Sequence, residues 1–192
     1  MDVPRSRSRF KLRQLRRRKP QVQFLVSGAS DDSLCDLVLR YRAFFEACAG
    51  EMYDAVWPEW RSHRVVQVSL RFVGEAEMAG LNGSFRGVDA PTDVLTFPLF
   101  EADGRFVPPG GLFLPLALGD VALCPSVVRR NASGHGVSEV SELALVIFHG
   151  LLHLLAWDHA TPEDEARMWS VQERFRDLLI ERLDAARLPG ES

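Results

Sequence analysis

Three histidines in the stretch His149-Gly150-Leu151-Leu152-His153-Leu154-Leu155-Ala156-Trp157-Asp158-His159 are the residues of this chain whose types and spacing could do chemistry. His149 and His153 stand four residues apart in an apolar run, so a helix projects both from one face, one turn apart. Two imidazoles so placed reach one small ion through metal–nitrogen bonds of about 2.0–2.1 Å. His159 follows six residues later, enough chain to leave the helix, turn back and offer a third nitrogen. Three protein ligands leave the fourth position of a tetrahedral ion open to water, the arrangement of catalytic rather than structural zinc. A lone histidine on such a face reads as core packing; three at this spacing read as a metal site.

The same intervals occur in zinc peptidases of the His-Glu-x-x-His-x-x-Gly-x-x-His type, where the glutamate takes the proton from the metal-bound water. Here that position is Gly150, which has no side chain to carry a proton. The ligand scaffold is present and the peptidase base is not. Gly150 is expected on the helix face beside the open metal position, where its smallness would leave room for a bulky phosphodiester.

Two further blocks accompany the histidines. One is Leu81-Asn82-Gly83-Ser84-Phe85-Arg86-Gly87-Val88-Asp89-Ala90-Pro91-Thr92-Asp93-Val94-Leu95-Thr96-Phe97-Pro98, and the other is Leu118-Gly119-Asp120-Val121. Together with His149 to His159 they resemble, in order, the signatures of the YbeY family, bacterial metal-dependent endoribonucleases of rRNA maturation. The family patterns are Leu-Asn…Tyr-Arg…Asp…Pro-Thr-Asp-Val-Leu-Ser-Phe-Pro, Leu-Gly-Asp-Ile and His-Gly-x-Leu-His-Leu-x-Gly-Tyr-Asp-His. The likeness runs from about residue 65 to residue 180, and three blocks in order are specific. Phe85 stands for the family's Tyr, Thr96 for its Ser, and Ala156-Trp157 for its Gly-Tyr. Alanine matters most, because glycine after a helix usually supplies a positive φ. Either this turn is reached with negative φ or strain is stored beside the metal.

The resemblance implies a single-strand-specific endoribonuclease acting in rRNA maturation and ribosome quality control, hydrolysing phosphodiester bonds with a metal-bound water. Its partners would be single-stranded RNA, rRNA precursors and the small ribosomal subunit. His149, His153 and His159 would hold one zinc ion; nickel or copper would suit the same imidazoles. Arg86, in a loop after a short helix, would neutralise the phosphate, since a guanidinium fork matches two oxygens and stays charged. Asp93 and Asp120 read as hydrogen-bond acceptors that position loops. Asp158 either orients an imidazole or closes the turn. His135 reads as an exposed loop residue. The alternative is a zinc-binding ribosome-assembly factor with little catalytic activity.

Those residues need a scaffold, and 192 residues with 46% hydrophobic and 26% charged content suit one soluble domain with a proper core. The longest apolar stretch, 143–157, is shorter than the roughly 18–20 residues of a membrane span, and no apolar signal-peptide core opens the chain. A cytoplasmic location follows as the expectation, and Cys35, Cys48 and Cys124, with no redox or metal spacing, read as reduced thiols. Nine Lys or Arg and no acid lie between Pro4 and Lys19; setting them and Asp2 aside leaves 14 basic against 25 acidic side chains. Residues 1–20 are therefore expected as a basic, disordered arm, either a nucleic-acid contact or a solvated tail. An Arg-rich organellar presequence is a weaker option, since serine is sparse there. Residues 21–187 form the enzyme domain and 188–192 a tail.

Periodicity places the elements. Val22 to Val26 and Val66 to Phe72 alternate as strands, Leu34, Leu37, Val38, Tyr41 and Phe45 predict one helix over 32–48, and 51–64 is an untyped connection. A short helix over 75–81 precedes the Arg86 loop, strands cover 94–97 and 118–123, and 101–115 is a loop. A short helix follows Pro125, and the central histidine-bearing helix spans 138–157. Thr161, Pro162 and Asp164 cap the last one. The fold class is α+β, one domain with a mixed sheet packed by helices.

Overall fold

Val66, Val68, Leu70 and Phe72 alternate with Gln67, Ser69 and Arg71, and they build the strand around which the protein is organised. The structure is a computed structural model and describes residues 20–28, 32–109 and 115–186. The basic arm, apart from Pro20, and the C-terminal tail lie outside them. In chain order the strands are β1 (Gln21–Gly28), β2 (Val65–Phe72), β3 (Val94–Pro98), the two-residue β4 (Glu101–Ala102) and β5 (Arg105–Phe106), and β6 (Leu116–Leu123). The helices are α1 (Ser33–Arg40), α2 (Arg42–Val56), α3 (Glu75–Arg86), α4 (Pro125–His135), α5 (Glu139–His153) and α6 (Pro162–Ala186). The main sheet has the order β1-β2-β6-β3, parallel across its first two pairings and antiparallel at the last. This is the α+β architecture with one mixed sheet that the sequence implies.

Alternation divides the sheet's side chains between two apolar clusters. Val22, Phe24, Val66, Val68, Leu70, Val94 and Val121 join the apolar stripes of α1, α2, α5 and α6 in the main core. Leu95, Ala122 and Phe97 point the other way and meet Met78 and Leu81 of α3. So α5 lies on one face against β3 and β6, while α3 lies on the other. Gly119 marks a β-bulge in β6. The register with β2 shifts there, φ is +147°, and a Cβ would stand 2.2 Å from the Phe97 carbonyl oxygen. That close approach explains the glycine of the Leu-Gly-Asp block.

Several boundaries differ from the sequence reading. The helix expected over 32–48 is two helices, because Tyr41 (φ −104°, ψ 18°) leaves helical geometry. The apolar spacing continues through the break, which turns α2 along β1 and lets it run on to Val56. A 3-10 helix, Pro58–Ser62, fills much of the untyped connection and buries Trp60, whose indole N–H donates to Asp54 at 2.7 Å. In the expected loop, Asp103 and Gly104 both take positive φ, the type I′ turn that joins β4 to β5.

Candidate metal centre

Ser138 accepts the Ser141 N–H and starts α5, whose apolar residues bury on nearly every side. Its last two turns carry His149 and His153 with ring centroids 4.5 Å apart, and His153 Nε2 lies 3.0 Å from His149 Nε2. The helix then stops at His153 rather than continuing to Trp157. Ala156 N–H donates to His153 O (2.9 Å) and Trp157 N–H to Leu152 O (3.1 Å), the Schellman pattern that ends a helix through a left-handed residue. That residue is Ala156, at φ +56°. Of the two routes the sequence left open, the turn takes the strained one. Trp157, under the Arg167 guanidinium at 4.3 Å, and Asp158, whose Oδ1 accepts the His159 N–H at 2.8 Å, continue the turn. His159 arrives 5.5 Å from the His153 ring and 5.8 Å from that of His149. One nitrogen from each of the three lies within 4.8 Å of the others.

The strain has a measurable size. A left-handed conformation costs an L-residue with a Cβ about 1–2 kcal/mol, part of which glycine would return as unfolded-chain entropy. Ala156→Gly should therefore stabilise the protein by about 0.5–1 kcal/mol in denaturant titration. An unchanged or lowered midpoint would show the turn to be unstrained.

The donor set suits a divalent transition-metal ion. His149 Nδ1 faces Gln172 Oε1 at 2.9 Å; because that oxygen only accepts, Nδ1 carries the proton and Nε2 keeps its lone pair for a metal. Burial first, and then the His159 and Arg86 charges, hold His149 below its ordinary pKa, against the Gln172 contact and Asp93. Burial and the other two rings push His153 down to about 4. Both rings are thus neutral ligands at pH 7. Gln172 is the contributor that the sequence reading missed. It is 3% exposed and lies among Met168, Phe175, Leu179 and Leu183, so one polar residue interrupts an apolar stripe. Gln172→Ala should weaken metal affinity about 10–100-fold, as losing a ligand's orienting partner does, whereas Gln172→Glu keeps an acceptor and should retain it. Equal affinities in a chelator competition would remove Gln172 from the site.

Arg86 closes the other side. It is the last residue of α3, which runs on from 81 to 86, so the arginine leaves a helix rather than a loop. Gly87 follows in the left-handed region (φ +70°) and turns the chain there. Asn82, buried one turn earlier, donates its amide to Ala90 O at 2.7 Å and ties α3 to the segment ahead of β3. Arg86, Thr92, Asp93, Val94 and Thr96 surround a cavity of about 80 Å³ together with the three histidines. Asp93 is well engaged: its carboxylate accepts from Val94 N–H (2.8 Å), Thr92 Oγ1 (3.1 Å) and Asn131 Nδ2 (3.1 Å).

Other candidates fall elsewhere. Asp120 lies on β6 with Arg71, Leu81, Phe85 and Phe97 around a different cavity, and does not join the histidines. His135 is the last residue of α4, not a loop residue, with Nδ1 3.1 Å from the buried Glu142 carboxylate. Gly150 does not border the open metal position. It faces the sheet, where an added Cβ would lie 3.1 Å from Val121 Cγ1 and 3.4 Å from the Thr96 methyl. Its smallness lets α5 approach β3 and β6, and a glutamate there would test packing rather than substrate pose.

Comparison with known proteins adds to this geometry. The family model described as Endoribonuclease YbeY matches residues 40–179. Endoribonuclease YbeY of Gloeobacter violaceus is 36% identical over 165 residues, 80% of this chain and 82% of that protein. The protein of the same name from Thermobifida fusca is 41% identical over 115 residues, 60% of this chain and 73% of its own. The solution structure of TM1509 from Thermotoga maritima matches with a TM-score of 0.58 at 26% identity, covering 88% of this chain and 100% of that one.

Proposed function

Since the chain belongs to the YbeY endoribonuclease family, we propose that it is a zinc-dependent endoribonuclease cutting single-stranded RNA in rRNA maturation and ribosome quality control. The observation that carries this reading is the one cavity shared by three imidazoles and an arginine. His149, His153 and His159 would hold the zinc ion, which would supply Lewis acidity and a water of lowered pKa. Arg86 offers a fork to two non-bridging phosphate oxygens and stabilises charge that grows as the phosphorus is attacked. Thr92 and Thr96 line the same cavity. Asp93, whose carboxylate accepts three hydrogen bonds, holds Thr92 and the start of β3 in place. Gly150 supplies no base, which separates this site from the peptidases with the same ligand spacing.

The substrates are rRNA precursors and the small ribosomal subunit, and the setting is the cytoplasm; family membership supports these assignments. Among the described residues no helix is long and apolar enough to cross a membrane. The domain spans 21–187, and the composition of the basic arm before it suits either phosphate contacts or a solvated tail. The test is cleavage of a single-stranded oligoribonucleotide by the purified protein against His153→Ala prepared identically. Equal traces of cleavage in both would leave a zinc-binding assembly factor in its place.

A further inference from the structure

The metal centre opens on two sides. Toward α3 lies the cavity with Arg86; toward α6 lies a second one, about 160 Å³, bordered by His149, His159, Glu165, Met168, Trp169 and Gln172. The two share His149 and His159, so an ion held by the histidines would border both. Resting on the nuclease reading above, we propose that the second cavity is a nucleobase subsite in which Trp169 stacks a base and Glu165 selects it.

The wall residues differ in what they have left to offer. Met168 is 1% exposed and forms an apolar floor, and Gln172 has its oxygen on His149. Trp169 is 45% exposed, although it borders a cavity and has a large apolar ring to bury. Glu165 precedes it by four residues, so the two share a face of α6. Among the described residues nothing pairs with the Glu165 carboxylate, while Glu173 and Asp177 on the same helix pair with Arg176. An unpaired acceptor beside an exposed indole, next to a metal site, has the chemistry of recognition of a splayed-out base. The ring takes the π-face and the carboxylate takes donors on the Watson–Crick edge.

That chemistry discriminates between bases. An ionised carboxylate accepts only. Guanine offers two adjacent donors, N1–H and N2–H, that match both oxygens. Adenine and cytosine each offer an exocyclic amino group. Uracil flanks its one N–H with two carbonyls, which the carboxylate repels. The phosphate of the same nucleotide can then reach the side of the ion lined by Arg86. The subsite therefore favours guanine, disfavours uracil, and sets where along a single strand the scissile bond comes to rest.

Two measurements on the metal-loaded protein test this. In the first, the Trp169 indole N–H resonance, assigned through Trp169→Phe, is followed during titration with GMP and UMP, which have no internucleotide bond to hydrolyse. GMP should shift it saturably and UMP should need about tenfold more. In the second, cleavage of an oligoribonucleotide holding all four bases is mapped. Trp169→Ala should lower kcat/KM about tenfold, mainly through KM, with metal content and thermal midpoint retained as folding controls. Glu165→Gln should reduce the preference for guanine over uracil, because an amide both donates and accepts. No GMP-dependent shift at Trp169 would overturn the subsite whether or not RNA is cut. Equal response to GMP and UMP would overturn the role of Glu165. Failure of the wild type to cut RNA, with the shift present, would overturn the nuclease reading alone.

Discussion

Alanine at His153 is expected to take metal content from about one ion per chain to almost none, and RNA cleavage down with it. Even the partner that merely orients a ligand is worth about 10–100-fold in affinity, so removing a ligand should exceed 100-fold. His159→Ala should do the same, although His159 is exposed and outside the core. Its loss leaves two nitrogens from one helix, and the turn formed by Ala156, Trp157 and Asp158 then presents nothing. Elemental analysis after dialysis reads the outcome. Stoichiometric metal in His159→Ala would remove the third ligand. Both variants should keep their secondary structure but melt like the wild type stripped of metal, since an ion bound only to the folded state stabilises that state.

Arg86→Ala should divide cleavage from metal binding. The guanidinium lines the cavity but is not a ligand, so metal content should stay near that of the wild type while kcat falls about 10²–10³-fold, the usual cost of removing one preorganised group that stabilises developing charge. Folding should be unaffected, because Arg86 is exposed and is followed by Gly87, which keeps the end of α3. Arg86→Lys should recover only part of the loss: the charge remains, but one ammonium cannot grip two oxygens in a plane. Single-turnover rates on a single-stranded oligoribonucleotide, with metal measured on the same samples, make the comparison. Unchanged cleavage in Arg86→Ala would return the residue to the ordinary surface arginines.

The pairing of His149 with His153 and the strand β2 were legible because each rests on a short-range period. Four-residue spacing put His149 and His153 on one face, and two-residue alternation marked β2. What the sequence hid depends on partners distant in the chain. Asn82-Gly83-Ser84 reads as a loop by propensity, yet α3 runs through it; the buried Asn82 amide bonds to Ala90, and Gly87 supplies the stop. Gly150 was read by analogy with a peptidase base, and its environment is set by Val94, Thr96 and Val121, from strands that no local pattern links to it. Gln172 was detectable as a polar interruption of an apolar stripe, but its bond to His149 is a tertiary fact. The break at Tyr41 left the apolar spacing intact, so periodicity could not register it.

The Gln172–His149 bond also has a consequence for the timing of synthesis. The first half of the chain supplies β1 and β2, but β6, which joins them to β3, is made after residue 115, and the partner that fixes the His149 tautomer comes from α6. Sheet closure therefore waits for residues past 115, and orientation of the His149 ring waits for α6. A chain still being translated holds Arg86, and later the three histidines, without the helix that sets the first of them in place. The enzyme is born incomplete beside the most RNA-rich particle in the cell, and its site is finished only when the final helix is free to dock.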